Sequence, residues 1–447
     1  MTSSRPTVRL RLPSALVVVA VAALVMALLA QGAGPARAAS PGEHAAARKA
    51  GAPGSLTGYG FDACAAPPQQ VMDAWWQESP YSAVGIYIGG SNRLCKDQPE
   101  LTADWVGKQQ RTGWHLLPVQ VGPQASCSGY ADRMSSDRTV SEQQGRAEAG
   151  VAMAGAQALG IGAGSTLYYD LEDYDISQTD CRQAALGFVS GWTKALKASG
   201  YRSGVYSNVA SAITSLSLAD VASHGSYAMP DDIWFAWSNG SPDTRSADWV
   251  GSHAWDDHQR IHQYALDVTQ TWGGYTLTID ANWLDVGEGS VGTPSKPLCP
   301  GVDVDLRRYP TLRPGSHGPA VEAAQCVLRK LRLMKAKASG RYDKPTVQAV
   351  KKAQRKLDQK QTGKITRRSW VALLARGPQP LLKVGSTGDP VRRLQRALTA
   401  ALGKRVKVDG AMSQATERAV LSYQRKAGLP ATGVVTDEVW DRLNTGR

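Results

Sequence analysis

The C-terminal third of the chain repeats itself with a period of 70 residues, and this repeat constrains the possible fold more than any other feature. When residues 306–376 are shifted by 70 positions, Gly318 falls on Gly388 and Trp370 on Trp440, without any gap. Self-similarity at one fixed period is the signature of a duplicated structural unit. The 447-residue chain therefore ends in two related small domains and has enough length for a separate N-terminal body.

Each copy of the repeat predicts three short helices. Apolar residues spaced three and four apart, such as Val391, Leu394 and Leu398, indicate an amphipathic first helix. Segments 346–357 and 366–374 of the first copy supply the second and third helices. Threonines stand where these helices are expected to begin and are candidate N-caps: Thr346, Thr366, Thr416 and Thr436.

The residues shared by the two copies form a specific pattern. Each copy reads L-x-x-G-S-x-G-x-x-V-x-x-x-Q-x-x-L, then G-x-x-x-x-x-T-x-x-A-V-x-x-x-Q, then T-G-x-x-T-x-x-x-W-x-x-L. This pattern resembles the three-helix peptidoglycan-binding domain that occurs twice in many secreted wall-lytic enzymes. The resemblance covers 306–376 and 380–445, and it implies two small all-α domains whose partner is peptidoglycan or a related wall polysaccharide.

The first 38 residues have the parts of a secretory signal peptide. Three arginines precede an uninterrupted apolar run over 15–30, and the small residues Ala36 and Ala38 form an A-x-A cleavage site. An uncleaved membrane anchor is the alternative, but this run is short for a membrane span. We expect a secreted, extracellular, wall-associated protein with a flexible segment over 39–54 and no membrane contact after cleavage.

Charge divides the rest of the chain into an acidic body and a basic tail. Residues 39–302 contain 16 basic and 27 acidic residues, a net charge of −11, whereas residues 303–447 contain 31 and 11, a net charge of +20. Two small domains with this positive charge are attracted over a long range to anionic wall polymer. A solvated surface or nucleic-acid binding is the alternative, and export argues against nucleic acid as a partner.

The acidic body alternates short β-rich runs with helical stretches. The runs cover 57–62, 83–88, 114–121, 165–171, 203–207, 233–237, 260–264 and 277–282. The clearest helical stretches cover 67–77, 101–111, 141–159 and 181–199. Eight strands alternating with helices predict an α/β fold, a (β/α)8 TIM-type barrel over 55–286, with a doubly wound sheet as the competitor. A segment rich in Gly, Ser and Pro over 287–305 is the expected linker, and the two parts should be separable.

The six cysteines are expected to form disulfide bonds. Their number is even, they contain no C-x-x-C pair, and an exported chain enters an oxidising compartment, which argues against zinc, a redox dithiol or free thiols. Pairing within each part of the chain is the economical choice, and in the body it joins loops that follow neighbouring strands. The predicted pairs are Cys64 with Cys95, Cys127 with Cys181, and Cys299 with Cys326.

Carboxylates close three of the β runs, at the strand ends where a barrel holds its chemistry. Asp62 closes the first run, Asp280 the eighth, and Asp170 and Glu172 the fourth. Because side chains alternate along a strand, Asp170 and Glu172 face the same side about 6.5 Å apart. Their mutual repulsion raises the pKa of one carboxyl, which is how a general acid is made. Helix capping, pairing with arginine and metal binding are the alternatives for these residues.

The aromatic residues favour a sugar ligand. The chain has 13 Trp and 15 Tyr but only 3 Phe, and Trp and Tyr present a flat apolar face with a polar edge. Trp114 and Trp237 lie near strand ends, although core packing is the alternative for each. His258 and His262 are four residues apart, but His262 lies in a β run, so we expect neither a helical zinc pair nor any other metal or cofactor.

The order of motifs in the body resembles two related families. Gly60-Phe61-Asp62, Tyr169-Asp170-Leu171-Glu172, His262-Gln263-Tyr264 and Ile279-Asp280-Ala281-Asn282 are similar to motifs of the muramidases of glycoside hydrolase family 25. The closer resemblance, over about 55–287, is to the secreted glycoside-hydrolase-like family catalogued as domain of unknown function 1906. It includes Gly60-Phe61-Asp62-Ala63-Cys64, Tyr87-Ile88-Gly89-Gly90 and Gly204-Val205-Tyr206-Ser207. The motifs that carry these resemblances supply four further substrate-binding candidates: Tyr87, Tyr206, Gln263 and Tyr264.

These features together predict a secreted, wall-bound glycoside hydrolase of the lysozyme type that acts as a monomer on the glycan strands of peptidoglycan. Glu172 is the expected general acid, and Asp170 stabilises the developing positive charge or orients a 2-acetamido group. Asp62 and Asp280 position water and substrate. The alternatives are a non-catalytic wall-binding protein that keeps the barrel cleft as a glycan groove, and an enzyme acting on another wall polymer.

Overall fold

The computed structural model describes residues 56–222, 225–251, 253–287 and 297–446. The expected signal peptide, the flexible segment over 39–54 and most of the first half of the expected linker lie outside the described residues. Within the described ranges, no helix has both the length and the apolar character needed to cross a membrane. The barrel and the helical tail belong to one compact unit.

Eight strands form a closed barrel in the order β1 to β8, which confirms the predicted barrel. The strands are β1 Leu56–Asp62, β2 Tyr81–Gly89, β3 His115–Gln120, β4 Thr166–Asp170, β5 Arg202–Asn208, β6 Asp232–Ala236, β7 Gln259–Trp272 and β8 Tyr275–Val286. A helix follows each of the first five strands: α1 Gln69–Glu78, α2 Ala103–Thr112, α3 Arg138–Ala158, α4 Thr179–Ala198 and α5 Thr214–Ala222. The helix boundaries follow local signals, as in α2, where Thr102 caps the start and Gly113 adopts a left-handed conformation at the end.

The last strand departs from a regular (β/α)8 barrel. β7 and β8 form a hairpin, so β8 runs antiparallel to both β7 and β1. Gly273 and Gly274 make the turn with φ of 57° and 82°, a conformation that glycine adopts at little cost. As a result, the described part of the barrel has no helix between β7 and β8, and none of its helices follows β8 to cover the outer face between β8 and β1.

Three disulfide bonds join the predicted pairs, which confirms the pairing. In the barrel, Cys64 with Cys95 and Cys127 with Cys181 connect loops at the carboxyl ends of the parallel strands. The third bond holds Cys299, which is buried in the helical core together with Val304. The end of the expected linker therefore packs with the first repeat. Each bond contributes roughly 2 to 4 kcal/mol to the stability of the fold.

Each 70-residue repeat folds into three helices, as the periodicity predicts. They are α6 Pro319–Lys330, α7 Lys344–Lys356 and α8 Arg367–Ala375 in the first copy, and α9 Asp389–Leu402, α10 Gln414–Ala427 and α11 Asp437–Asn444 in the second. The shared residues make the same hydrogen bonds in both copies: the buried side chains of Gln325 and Gln395 accept from the backbone of Gly340 and Gly410, both at 3.0 Å. These equivalent bonds explain why both copies contain the same glutamine and glycine.

Two of the four predicted N-caps are wrong. The N-cap positions of α7 and α10 are taken by Asp343 and Ser413, three residues before Thr346 and Thr416. The two threonines lie in the first helical turn and face inward, where Thr346 accepts a hydrogen bond from Gln325 at 2.9 Å. The sequence pattern placed these helix starts too late because a core-facing threonine was interpreted as a cap.

The second repeat packs directly on the barrel. Tyr59 on the outer face of β1 donates to Glu417 of α10 at 3.4 Å, and Gln414 of α10 donates to the carbonyl oxygen of Pro242 at 2.7 Å. The uncovered face between β8 and β1 therefore receives a helix from the tail. The expectation that the two parts are separable stays a prediction, and these contacts are what a separation would have to break.

A buried lysine fixes this contact. Lys383 is only 3% exposed, and its ammonium group donates to the carbonyl oxygens of Trp76 in α1 and Tyr81 at the start of β2. The same ammonium lies 3.7 Å from the centroid of the Trp76 ring, a cation–π contact. Burial lowers the pKa of Lys383 well below its usual value. The matching residue of the first repeat, Arg313, is exposed.

Candidate active site

A cavity of about 500 Å³ opens at the carboxyl ends of the parallel strands, within the size range of small-molecule sites. The four carboxylates singled out by the sequence all line it: Asp62, Asp170, Glu172 and Asp280. The barrel therefore brings together side chains that are up to 218 positions apart in the chain. Their surroundings differ, and these differences determine what each carboxylate can do.

Asp62 is the most firmly held of the four carboxylates. It is the last residue of β1, is 2% exposed, and accepts hydrogen bonds from Tyr87 at 2.9 Å, Asn282 at 2.7 Å and Gln263 at 3.2 Å. Burial and then the nearby Asp280 raise the pKa of Asp62 to about 7, although the three donors act in the opposite direction. Asp62 is therefore a carboxylate that changes charge near neutral pH.

Asp280 lies at the same mouth of the barrel because β8 runs in a direction that the sequence did not reveal. It was expected to close the eighth run, but it lies within β8, directly opposite Asp62 in the antiparallel ladder. One of its oxygens accepts from the backbone N–H of Asp267 at 2.8 Å, and the other accepts from Gln263 at 3.3 Å. Partial burial raises the pKa of Asp280.

Asp170 is buried with an unused acceptor. It ends β4, is 5% exposed, and its Oδ1 atom has no hydrogen-bond partner among the described residues. Burial, followed by the charges of Glu172 and Asp62, raises the pKa of Asp170 well above its usual value. A buried carboxyl with an unpartnered oxygen next to two other acids favours the neutral form.

Glu172 follows β4 and is held in place by a glutamine. Gln124 accepts from the backbone N–H of Glu172 and donates to the carbonyl oxygen of Asp170, both at 2.8 Å. This clamp fixes the bend after the strand while leaving the Glu172 side chain partly exposed in the cavity. Burial raises the pKa of Glu172, with a smaller contribution from Asp173. Sequence reasoning missed Gln124 because it stands 48 residues from Glu172 in an irregular loop.

The two amide side chains beside Asp62 are oriented by aromatic donors. Tyr206 donates to the Gln263 amide oxygen, and Trp234 donates to the Asn282 amide oxygen, both at 2.8 Å. With their oxygens occupied, both amides turn their NH₂ groups toward Asp62. Asn282 and Trp234 were not proposed as site residues, although the two-residue spacing from Asp280 was a readable signal for Asn282.

Three of the six proposed substrate-binding residues lie in or beside the cavity, and the other three do not line it. Tyr87 lines the cavity, and Tyr206 and Gln263 are hydrogen-bonded to each other next to it. Tyr264 follows Gln263 on the strand and therefore faces outward, beside Tyr81 and Glu417. The structure does not place Tyr264 in the cleft.

The two proposed tryptophans do not line the cavity, and they lie at opposite ends of the barrel. Trp114 precedes β3, at the opposite end of the barrel from the cleft, where it is 1% exposed and packs against Trp76. Trp237 stacks on His262 with ring centroids 6.1 Å apart and is not among the residues that line the cavity. Trp114 is a packing residue in this fold, which was the alternative left open from the sequence, whereas a substrate-binding role for Trp237 stays a prediction.

Loops at the rim contribute residues that sequence reasoning did not find. Asn92, Arg93 and Leu94 follow β2, next to the disulfide of Cys95, and Tyr130 follows β3. Leu94 is 89% exposed, so an apolar side chain stands free at the entrance. The described residues contain no group of three or more His, Cys, Asp or Glu side chains arranged to hold a metal ion. His258 contacts Asp285 at 2.6 Å.

Comparison with known families agrees with the architecture. Residues 73–284 match the model of the Rv2525c-like, glycoside hydrolase-like domain, and residues 317–373 and 387–443 match the model of a peptidoglycan binding domain. The barrel is therefore a glycoside hydrolase-like domain of the Rv2525c type, followed by two peptidoglycan-binding domains. The chain is thus a cell-wall glycan-related protein. No curated protein sequence matched the chain.

Solved structures with similarity to this chain include three that each match about half of it. An uncharacterised B. stearothermophilus protein is 20% identical over 51% of this chain and 95% of its own, with a TM-score of 0.36. The Tat-secreted Mycobacterium tuberculosis protein Rv2525c is 14% identical over 52% and 96%, with a TM-score of 0.34. The modular autolysin LytC of Streptococcus pneumoniae is 15% identical over 51% and 46%, with a TM-score of 0.33.

Proposed function

We propose that the barrel hydrolyses the glycan strands of peptidoglycan as a secreted muramidase, while the two repeats hold the protein at the cell wall. The peptidoglycan-binding domains and the glycoside hydrolase-like barrel support the wall as the place of action. The observation that carries the catalytic part is the pair at the end of β4, in which Asp170 is buried with a free acceptor beside the more exposed Glu172.

Glu172 has the properties of the general acid. Its side chain lines the cavity, and its raised pKa keeps a fraction of the carboxyl protonated nearer to neutral pH than an ordinary glutamate. Partial exposure allows it to approach the glycosidic oxygen of a bound sugar. Protonation of that leaving oxygen is the step that two-carboxylate glycosidases assign to such a residue.

Asp170 suits a role in orienting the substrate. Its free Oδ1 atom accepts a hydrogen bond from the N–H of a 2-acetamido group, which turns the acetamido oxygen toward the anomeric carbon. The substrate then supplies its own nucleophile, a recognised variant of glycoside hydrolysis. Asp280, on the open side of the Asp62 cluster, holds the water that completes the reaction, and Asp62 fixes Gln263 and Asn282 beneath it.

Digestion of purified cell walls tests this proposal. The wild-type protein should lower the turbidity of the walls and release reducing ends, and Glu172→Gln should lower the rate about 10²- to 10⁴-fold while retaining glycan binding. Asp175→Asn is the matched control, because Asp175 is an exposed acid in the same loop that bonds only to its own loop. Binding without release by the wild type would instead support a non-catalytic glycan-binding protein.

A further inference from the structure

A second cavity, of about 570 Å³, lies between the two repeats. Helices α6 and α8 of the first repeat and α9 of the second enclose it, together with Leu298 before the first repeat. Neither repeat contains this cavity alone, because the walls come from both copies. Its size is that of a site for a small ligand.

The floor of this inter-repeat cavity is apolar. Val327 and Leu331 line it from α6 and the turn that follows, Leu373 and Leu374 from α8, and Pro390 from the start of α9. An inorganic ion or a chain of phosphodiesters gains nothing from such a floor. A ligand with small apolar side chains gains about 25 cal/mol for each Å² that it buries there.

The rim of the cavity carries more positive than negative charge. Two acids that line it already have partners: Asp305 pairs with Arg396 at 2.6 Å, and Asp389 pairs with Arg392 at 3.4 Å. Lys330, Arg376 and Arg393 also line it, and no ion pair to a described carboxylate is formed by any of these three. The site therefore has an excess of three positive charges.

The contacts of Arg393 hold one of these positive charges in a fixed position. Its guanidinium lies 4.4 Å from the centroid of the Trp440 ring and donates to the carbonyl oxygen of Pro378. Its Nε donor is buried and has no partner among the described residues. A buried donor without an acceptor is costly, and a planar guanidinium matches a carboxylate in two-point geometry.

We infer that the inter-repeat cavity binds a short peptide through its free carboxylate, with small apolar side chains of the peptide on the floor. This inference deepens the proposed function, on which it rests, by assigning wall peptides to the tail and glycan to the barrel. The two components of one polymer are then recognised at two separate sites. Arg393 and Arg376 bind the carboxylate, and the apolar floor selects against simple anions.

Calorimetric titration of the mature full-length protein tests the inference with two probes, N-acetyl-alanyl-alanine and its C-terminal amide. The free acid should bind saturably, and the amide should bind roughly tenfold or more weakly because it lacks the charge. Arg393→Gln and the exposed Arg376→Gln should weaken binding of the acid to a similar extent. Arg405→Gln, an exposed arginine that does not line the cavity, removes the same charge and should leave binding within about twofold.

Three results would overturn the inference: equal binding of acid and amide, full affinity in both cavity variants, or inorganic phosphate competing as well as the peptide. None of these three results depends on the barrel. Glycan release, measured on the same preparations, therefore reports separately on the proposed hydrolysis. Peptide binding without glycan release would leave the inter-repeat site in place and contradict only the catalytic proposal.

Discussion

Asp62 and Asp280 stand directly opposite each other in the ladder between β1 and antiparallel β8. The reversal of β8 places a residue from the middle of that strand at the same mouth as the last residue of β1. One amide, Gln263, donates to both carboxylates, at 3.2 Å and 3.3 Å. Two acids that share a donor this closely cannot both be ionised without cost, and burial, followed by the charge of Asp280, raises the pKa of Asp62.

Stability should therefore depend on pH through Asp62. Because the folded pKa of about 7 lies above the ordinary value of 3.8, the contribution of this group is fully present below about pH 4 and is lost as pH rises through 7. The loss is on the order of 4 kcal/mol for a fully buried group. Urea unfolding at pH 4.5 and 7.5 should show this decrease in the wild type and a smaller one in Asp62→Asn. Equal decreases in both proteins would contradict the assignment.

Asp170→Asn should separate catalysis from stability. The substitution keeps the shape but removes a buried carboxyl whose Oδ1 atom has no donor among the described residues, so the thermal midpoint should stay constant or rise. Glycan release should nevertheless fall about 10²-fold or more, since the amide oxygen can still accept a hydrogen bond but cannot supply the negative charge that stabilises the positive charge developing in the reaction. Initial rates on soluble glycan fragments together with thermal melting provide the measurement. Unchanged turnover in a well-folded variant would remove Asp170 from the mechanism.

Lys383→Ala should loosen the second repeat from the barrel. The change removes two hydrogen bonds to backbone carbonyls and the contact with Trp76, and a loss of about 2 to 4 kcal/mol in the free energy of unfolding is expected. Arg313→Ala is the control, because Arg313 occupies the same position in the first repeat but is exposed. Denaturant unfolding of both variants compares them. Equal stability would show that Lys383 contributes nothing to the docking.

Attachment to walls should weaken as salt is added. The tail carries a net charge of +20, and the reach of surface charge shortens from about 30 Å at 0.01 M to about 8 Å at physiological ionic strength. The full-length protein should sediment with purified walls at low salt and be released progressively as the salt concentration rises. Sedimentation that is indifferent to salt would mean that the basic charge has another role.

Much of the fold could be predicted from the sequence because apolar residues recur with different periods in strands and in helices. The β runs ended in polar residues, so Asp62, Asp170 and Glu172 could be placed at one mouth before any coordinates were known. The direction of β8 could not be read from its alternation, which is the same in either direction along a strand. The adjacent pair Gly273 and Gly274 between two β-rich runs was the missed signal, because two glycines in that position favour a hairpin.

The contacts between the barrel and the second repeat could not be predicted from the sequence. Lys383 is one of many basic residues in the tail, and nothing in its neighbourhood along the chain distinguishes it from Arg313. Burial of an ammonium depends on which carbonyl groups and rings lie across an interface. Trp114 is a different case: it begins its β run, and the amino-terminal ends of parallel strands lie away from the mouth, so its position in the sequence already argued against the cleft.

Docking of the second repeat also limits how freely the modules of this protein can be exchanged. A catalytic domain that is joined to its binding domain by a long flexible linker can be fused to a different binding domain. The length of the linker then sets the distance over which the catalytic domain can act. Here α10 lies over Tyr59, and Lys383 is inserted beside Trp76. A transplanted barrel would expose this face to water unless residues 380–445 travelled with it. Recombination that exchanges only the repeats would therefore also remove the helix that covers part of the outer face of the barrel.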